Sequence, residues 1–233
     1  ATPGGLVMPM ELVVAESPVA GRSFDVALVF EPQPGWHGYW RNPGDAGFGM
    51  SLDWQLPDGW QAGEPLYPVP ETLLIAGLMN HVYEGRYAVI VPISVPEEAE
   101  FRPGQSLAVA ANYLACTDTI CVPQRARAMA ALPAPGSGRD PRFDEWLSQV
   151  PPLLDAQGQF GRDGETLRLS IPLPNTQQLD QPHVFLAADG VVQYAAAQSF
   201  FRGDNRLVAE LALKDGATLP ERIEGILRFG EAG

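Results

Sequence analysis

The two cysteines of the chain, Cys116 and Cys121, are the residues best suited to chemistry, and only four residues separate them. A pair at this spacing can form a disulfide, exchange electrons with another thiol pair, or bind a metal ion. An apolar run at residues 106–115 precedes the pair, and an alternating pattern at residues 122–132 follows it. This arrangement predicts a β-hairpin with a cysteine at each shoulder, where opposed Cα atoms lie roughly 4.5 to 5.5 Å apart and a disulfide can close.

The stabilisation that such a disulfide gives is small. A crosslink that closes about six residues contributes roughly 2 kcal/mol in the chain-entropy treatment, against about 4.7 kcal/mol for a loop of about 100 residues. A chain of 233 residues can also bury a full hydrophobic core without a covalent crosslink. The spacing therefore favours redox exchange, and a plain structural hairpin disulfide stays open as an alternative.

Metal binding would require further ligands from other parts of the chain. The three histidines, His37, His81 and His183, lie in separate segments, and the five methionines are scattered. The sequence lacks the ligand spacing of a closed zinc site, and a copper–thioether site would need methionines that only the fold could gather. We therefore predict no metal and no other cofactor.

The composition favours an all-β protein. Short apolar runs alternate with 23 prolines and 24 glycines, which is typical of many short strands. The formal net charge of −13 opposes binding to the phosphates of nucleic acids. No segment approaches the roughly 20 apolar residues of a membrane span. The first residues, Ala1-Thr2-Pro3, suit an exported protein whose signal peptide has been removed, and a disulfide suits an oxidising compartment.

Strand-like patterns at residues 10–15, 23–31, 51–56 and 86–95 predict a first β-sandwich around the cysteine hairpin. Three large rings, Trp36, Tyr39 and Trp40, cannot all face one side of a strand, so we expect Tyr39 or a neighbour on the outer face. Residues 73–80 are apolar without a clean period. We interpret them as a loop that is either buried or covers another feature.

Residues 132–139 are small and rich in proline and glycine, and they predict a linker between domains at residues 1–133 and 134–233. Asp140 as N-cap and Pro141 at the first helical position predict a short bridging helix with Phe143 and Trp146 on one face. Strand patterns at residues 166–171, 183–187, 191–194, 206–213 and 222–229 predict a second small sandwich. We assign this second domain a scaffolding or docking role, because it has no cysteine.

Three motifs in a fixed order resemble a known family. They are Gly-Trp-His-Gly-Tyr-Trp-Arg-Asn-Pro-Gly-Asp-Ala-Gly from residue 35, Val-Tyr-Glu-Gly-Arg-Tyr from residue 82, and Cys-Thr-Asp-Thr-Ile-Cys-Val-Pro from residue 116. Together they resemble the N-terminal periplasmic domain of the DsbD/ScsB transmembrane thiol reductases, with ScsB as the nearer of the two. The resemblance covers residues 7–133, and the remainder matches only in layout.

The resemblance implies immunoglobulin-like sandwiches, so the predicted fold is all-β, with two immunoglobulin-like β-sandwich domains joined by a Pro/Gly-rich linker and a short helix. It also implies a cofactor-free thiol:disulfide oxidoreductase that is the periplasmic part of a larger membrane protein. A thioredoxin-like C-terminal domain of that protein would reduce Cys116 and Cys121, and the pair would reduce periplasmic thioredoxin-fold clients. The alternative is a non-catalytic β-sandwich binding module, including a copper-related one, with a structural disulfide.

The resemblance further implies which sulfur reacts, because the second cysteine of the family's pair forms the mixed disulfide with partners. That position is Cys121. Arg125 and Arg127 on the following strand would favour a thiolate, whereas a loop carboxylate would disfavour one. A cap loop that shields the family's disulfide corresponds to residues 73–83. The candidate residues around the cysteines are His37, Tyr39, Leu78, Met79, His81 and Asp118.

Overall fold

The structure is a computed structural model that describes residues 5–102 and 104–230. The N-terminal Ala1-Thr2-Pro3, interpreted above as a mature terminus, lies outside the described residues. The strands are β1 (Met10–Val14), β2 (Ser23–Phe30), β3 (Gly38–Gly44), β4 (Ser51–Gln55), β5 (Gln61–Ala62), β6 (Glu71–Ile75), β7 (Leu78–Tyr83), β8 (Tyr87–Ser94), β9 (Ser106–Cys116), β10 (Cys121–Ala131), β11 (Gln159–Asp163), β12 (Thr166–Pro172), β13 (His183–Leu186), β14 (Ser199–Gly203), β15 (Arg206–Ala212) and β16 (Gly225–Arg228). The helix α1 (Arg142–Ser148) lies between β10 and β11. The predicted all-β fold is confirmed.

The chain folds into two compact units. The first contains the described residues up to 41 together with 47–71 and 82–150, and the second contains 42–46, 72–81 and the described residues from 151 onwards. The predicted boundary after residue 133 does not coincide with this division. Two short segments from the first half of the sequence belong to the second unit, and the linker and α1 belong to the first.

The first unit contains two antiparallel sheets, with the strand orders β1-β2-β8-β5 and β10-β9-β4. Strand β2 is buried on both faces along most of its length, because α1 packs on one face and the other sheet of this unit packs on the face that carries Phe30. Phe30 lies in the core, where its ring centroid is 5.1 Å from those of Tyr87 on β8 and Tyr113 on β9. Aromatic pairs at this separation add to the stabilisation from apolar burial.

Helix α1 packs on the sheet of the first unit. Phe143 and Trp146 form a buried cluster with residues of β1, β2 and β8, including Val13 and Ile90. The N-cap position is Pro141, so the predicted Asp140 cap lies one residue too early, although its Oδ1 accepts a hydrogen bond from the backbone N–H of Arg142 at 3.0 Å. The apolar face of α1 is buried in this unit, and the segment of the second unit that follows α1 begins at residue 151.

The second unit contains the antiparallel sheets β11-β12-β15-β14 and β13-β16. Buried residues alternate along β15, as expected for a strand with one face on a core. Residues of β12, β13 and β15 form that core, including Leu169, Leu186 and Leu211. The strand predicted at residues 191–194 is wrong, because that segment forms only an isolated bridge between Val192 and Leu213.

Residues 71–83 form two strands of the sheet β3-β7-β6 rather than the predicted apolar loop. The turn between β6 and β7 is made by Ala76 and Gly77, whose φ angles are +49° and +85°. Two consecutive positive φ angles define a tight two-residue hairpin turn, which matches the twist of the flanking strands. The apolar residues on either side of this turn therefore become strand residues.

Candidate functional site

The cysteine hairpin has the register that the sequence predicted. Strands β9 and β10 pair without a break from Cys116–Cys121 to Ser106–Ala131, and the two cysteines form a disulfide with a Cα–Cα distance of 4.1 Å. The backbone N–H and C=O of Cys116 bond instead to His37, with N–O distances of 3.1 and 2.9 Å. The cysteines are therefore a non-hydrogen-bonded pair, which is the type of pair in which Cα atoms approach most closely.

A short polar loop connects the two cysteines. The backbone N–H of Thr117 donates to the carbonyl of Ile120 at 2.8 Å. The hydroxyl of Thr117 accepts hydrogen bonds from the backbone N–H groups of Thr119 and Ile120 at 3.3 and 3.2 Å. These bonds order the loop and leave Asp118 exposed at its tip. Ile120, which directly precedes Cys121, is 55% exposed.

The two cysteines differ sharply in exposure. Cys116 is 1% exposed, whereas Cys121 is exposed to solvent. Thiol–disulfide exchange begins with the attack of a thiolate on one sulfur, and the sulfur attacked depends on access. An incoming thiolate can therefore reach Cys121 but not Cys116.

Arg125 and Arg127 lie on the exposed face of β10 that also carries Cys121. Arg125 is the nearer of the two and is four residues away, which corresponds to roughly 13 Å along a strand. This separation exceeds the Debye length of about 8 Å at physiological ionic strength. We therefore expect the effect of these arginines on a Cys121 thiolate to be weaker than the sequence suggested.

His37 and Tyr39 lie together beside β9. His37 is 2% exposed, and its Nε2 is 3.4 Å from the hydroxyl of Tyr39. Burial lowers the pKa of His37 from its ordinary value of 6.5, although the negative charges of Glu84 and Asp118 act in the opposite direction. Burial also raises the pKa of Tyr39. The neutral forms of both side chains are therefore favoured.

Tyr39 is not the surface aromatic expected in the first motif, whereas its neighbour Trp36 is partly exposed. Tyr39 and Trp40 are 6% and 2% exposed, because both faces of β3 are covered. Gly47 packs directly on the Tyr39 ring: a Cβ atom at this position would lie 2.9 Å from ring carbons, and the φ angle of +92° also favours glycine. Gly47, the last residue of the Asn-Pro-Gly-Asp-Ala-Gly segment, thus allows the loop to cover Tyr39.

The candidates from the predicted cap region, Leu78, Met79 and His81, belong to the second unit. The backbone N–H of Met79 donates to Oδ2 of Asp45 at 3.0 Å, and Nδ1 of His81 is 2.9 Å from the carbonyl oxygen of Asn42. Burial lowers the pKa of His81. The structure thus brings His37, Tyr39 and Asp118 into the unit that holds the disulfide. A position of the other three candidates beside the cysteines stays a prediction.

Two residues of this region, Glu84 and Ile120, were not among the site residues predicted from the sequence. Glu84 acts electrostatically on His37, and it belongs to the Val-Tyr-Glu-Gly-Arg-Tyr motif that carried the family resemblance. Ile120 is an apolar residue in an otherwise polar four-residue loop. An apolar residue in a polar loop, directly before Cys121, was the signal available in the sequence to identify it.

In the described part of the chain, no three His, Cys, Asp or Glu side chains are grouped as a metal site would require. None of its helices is long and apolar enough to cross a membrane. The second unit has a cavity of about 520 Å³ that is lined by apolar residues of β12, β13 and β16, with Glu221 and Arg222 also at its wall.

Comparison with known proteins identifies the family. The sequence pattern described as "Thiol:disulfide interchange protein DsbD, N-terminal" matches residues 6–133. The crystal structure of the N-terminal periplasmic domain of ScsB from Proteus mirabilis superposes with a TM-score of 0.65 and 15% identity, over 95% of this chain and 87% of that chain. A comparison with curated protein sequences finds no match. The fold of the whole chain is thus similar to that of the ScsB domain. Because the matched pattern covers more than half of the residues and includes the cysteine hairpin, the chain belongs to the DsbD N-terminal family of thiol:disulfide interchange proteins.

Proposed function

We propose that this chain is a periplasmic thiol–disulfide exchange module that relays electrons from a membrane reductase to thioredoxin-fold clients. The Cys116–Cys121 pair accepts two electrons and two protons from a thioredoxin-like domain and then passes them to a client. Cys121 forms the mixed disulfide with each partner. Cys116 resolves it when a client is reduced, and the second cysteine of the thioredoxin-like domain resolves it when the Cys116–Cys121 pair is reduced. No metal or organic cofactor takes part in this proposed reaction.

The proposal rests on the difference in exposure between the two cysteines. A structural disulfide gains nothing from an accessible sulfur, whereas an exchange disulfide requires one sulfur that a partner can reach. Cys121 is exposed at the end of a hairpin, and Cys116 is buried beneath it. The crosslink also closes a loop of about six residues, so it contributes only about 2 kcal/mol to stability.

The proposal is tested by trapping a partner with single-cysteine variants. We expect reduced Cys116→Ser to form a mixed disulfide with an oxidised thioredoxin-fold protein, because Cys121 stays accessible and this chain then has no second thiol that can release the partner. Cys121→Ser should trap little, because its single thiol is buried. Non-reducing gels of both variants with the same thioredoxin measure the difference.

The two variants serve as matched controls for each other, since each retains one thiol in the same hairpin. Efficient trapping by Cys121→Ser would reverse the assignment of the two sulfurs. Equal trapping by both variants would show that neither sulfur is privileged. Failure of both variants to trap a partner would favour the structural-disulfide alternative.

A further inference from the structure

We infer that His37 is the proton acceptor that converts the buried Cys116 thiol into the nucleophile that releases the partner. This inference rests on the proposed exchange function and assigns one of its steps to a residue outside the cysteine pair. It concerns the second half of client reduction, in which Cys116 attacks the mixed disulfide at Cys121.

The inference about His37 rests on three residues that lie in a row across adjacent strands. His37 forms an isolated antiparallel bridge with Cys116, and Cys116 is directly opposite Cys121 in the β9–β10 register. Directly opposed residues of antiparallel strands project from the same face, with Cβ atoms about 4.5 to 5.5 Å apart. The imidazole and the disulfide therefore share one face of the sheet, with Cys116 in the middle of the row.

The chemistry of the second step requires a base at this position. Burial disfavours a thiolate and leaves a cysteine inert, whereas the thiolate is the form that attacks a disulfide. Cys116 is 1% exposed, so water has little access to remove its proton. His37 is itself 2% exposed, and it lies on the buried side of the row. A base on that side of the row lies directly opposite the cysteine whose thiol solvent does not reach.

The surroundings of His37 prepare its imidazole for this role. Burial keeps the ring neutral, and the negative charges of Glu84 and Asp118 favour the protonated ring once the proton has moved. The titratable side chains that act on the ring come from its own segment (Tyr39), from the end of β7 (Glu84) and from the cysteine loop (Asp118). The hydroxyl of Tyr39 can either donate to Nε2 or accept from it. This contact is therefore compatible with either tautomer of the histidine.

In the proposed step, each proton and electron pair that leaves one group is taken up by another. In the mixed disulfide, the Cys116 thiol gives its proton to the neutral imidazole, and the resulting thiolate attacks Sγ of Cys121. The bond between Cys121 and the partner sulfur breaks, and its electron pair leaves with the partner thiolate. The imidazolium then returns its proton to solvent or to the departing thiolate. The chain becomes the disulfide and loses two electrons and two protons, which the partner gains.

The test uses the full reduced chain and oxidised glutathione as the partner probe. Glutathione first adds to Cys121, and attack by Cys116 then removes it. Acid quenching followed by mass spectrometry measures the formation and decay of the glutathionylated chain separately. Loss of a general base slows a reaction by about a hundredfold at the lower end of the usual range. We therefore expect His37→Gln to slow the decay at pH 7 by at least about tenfold. The rate of formation should stay within about twofold of that of the unmodified chain, because Cys121 is accessible without His37.

His183→Gln is the matched control, since it removes a histidine of the second unit, and it should leave both rates unchanged. The pH profile of the unmodified chain gives a second measurement that requires no variant. With His37 as base, the decay rate should level off above the pKa of His37, which burial places below 6.5. With solvent as base, the rate would continue to rise about tenfold per pH unit.

An unchanged decay in His37→Gln, together with normal formation, would overturn the inference and leave the proposed function intact. A decay rate in the unmodified chain that rises steadily from pH 6.5 to pH 8.5 would also overturn it, even if His37→Gln does not fold. Absence of glutathionylation in every variant would overturn the proposed function as well. A slow decay in His37→Gln and a level profile in the unmodified chain would support the inference.

Discussion

Reduction of the Cys116–Cys121 disulfide should change the stability of the chain very little. The crosslink closes only the six residues from Cys116 to Cys121, which corresponds to about 2 kcal/mol of lost unfolded-state entropy. The backbone bonds between Cys116 and His37 and the β9–β10 ladder do not require the crosslink. We therefore expect the free energy of unfolding to fall by about 2 kcal/mol on reduction.

The same free energy fixes how strongly the fold favours the disulfide. In a thermodynamic cycle, the disulfide stabilises the folded chain by as much as folding stabilises the disulfide. About 2 kcal/mol corresponds to about 45 mV for a two-electron couple. The reduction potential of the native pair should therefore lie only about 45 mV below that of the same pair in denaturant.

Two measurements check these values independently. Urea unfolding of the oxidised and the reduced chain gives the difference in stability. Alkylation and mass spectrometry after equilibration in glutathione buffers, with and without denaturant, give the difference in potential. The double variant Cys116→Ser/Cys121→Ser is the control, because a reductant should not change its unfolding curve.

The reasoning would be refuted if reduction lowered the free energy of unfolding by more than about 4 kcal/mol, twice the value expected from loop closure. A native pair that stays oxidised below about −300 mV, the range of structural disulfides, would also refute it. In either case the fold would hold the disulfide far more strongly than the loop length explains. The structural alternative would then be preferred to the exchange function.

Three further predictions concern partner docking, the helix and the second unit. In a Cys116→Ser background, Ile120→Asp should reduce trapping of a thioredoxin on non-reducing gels at least about threefold, because it removes an exposed apolar contact. Met129→Asp in the same background is the control, because it changes an exposed residue farther along β10, and it should not reduce trapping. Phe143→Ala should lower the free energy of urea unfolding by about 3 to 5 kcal/mol, because this fully buried ring anchors α1. The pKa of His183 is lowered to about 4, mainly by burial, so its stabilising contribution is complete above pH 6.5 and is lost as the pH falls towards 4. Between pH 7 and pH 4, the unmodified chain should therefore lose up to about 3 kcal/mol more stability in urea than His183→Gln. Equal losses in the two chains would contradict the expected burial of a neutral histidine.

The strands near the cysteine hairpin could be predicted from the sequence to within one or two residues. The patterns at residues 10–15, 23–31 and 86–95 became Met10–Val14, Ser23–Phe30 and Tyr87–Ser94. Each of these strands has regular side-chain patterning and ends within two residues of a proline or charged residue, so local signals were sufficient. The pairing of Cys116 with Cys121 followed from the same local geometry.

Features that depend on distant contacts could not be predicted in this way. The burial of Tyr39 depends on Gly47, which folds back over its ring, and no periodicity within β3 indicates that contact. The place of His37 in a row with the cysteines depends on a bridge between residues 79 positions apart. Spacing in the sequence carries no information about such a register, so the role inferred for His37 required the structure.

Truncation is a poor test of the role of the second unit, because two segments from the first half of the sequence belong to that unit. Strand β3 begins in the first unit and ends in the second, and β7 runs in the opposite sense between them. Within the second unit, the amide of Asn42 donates to the carbonyl oxygens of Leu186 and Ala188 at 2.7 and 3.1 Å. Truncation after residue 133 would remove these acceptors and expose the buried Asn42 side chain to solvent. It would also remove α1 from the first unit. Loss of activity in such a truncation would therefore report damage to the remaining fold, and substitutions on the surface of the second unit are the informative experiment.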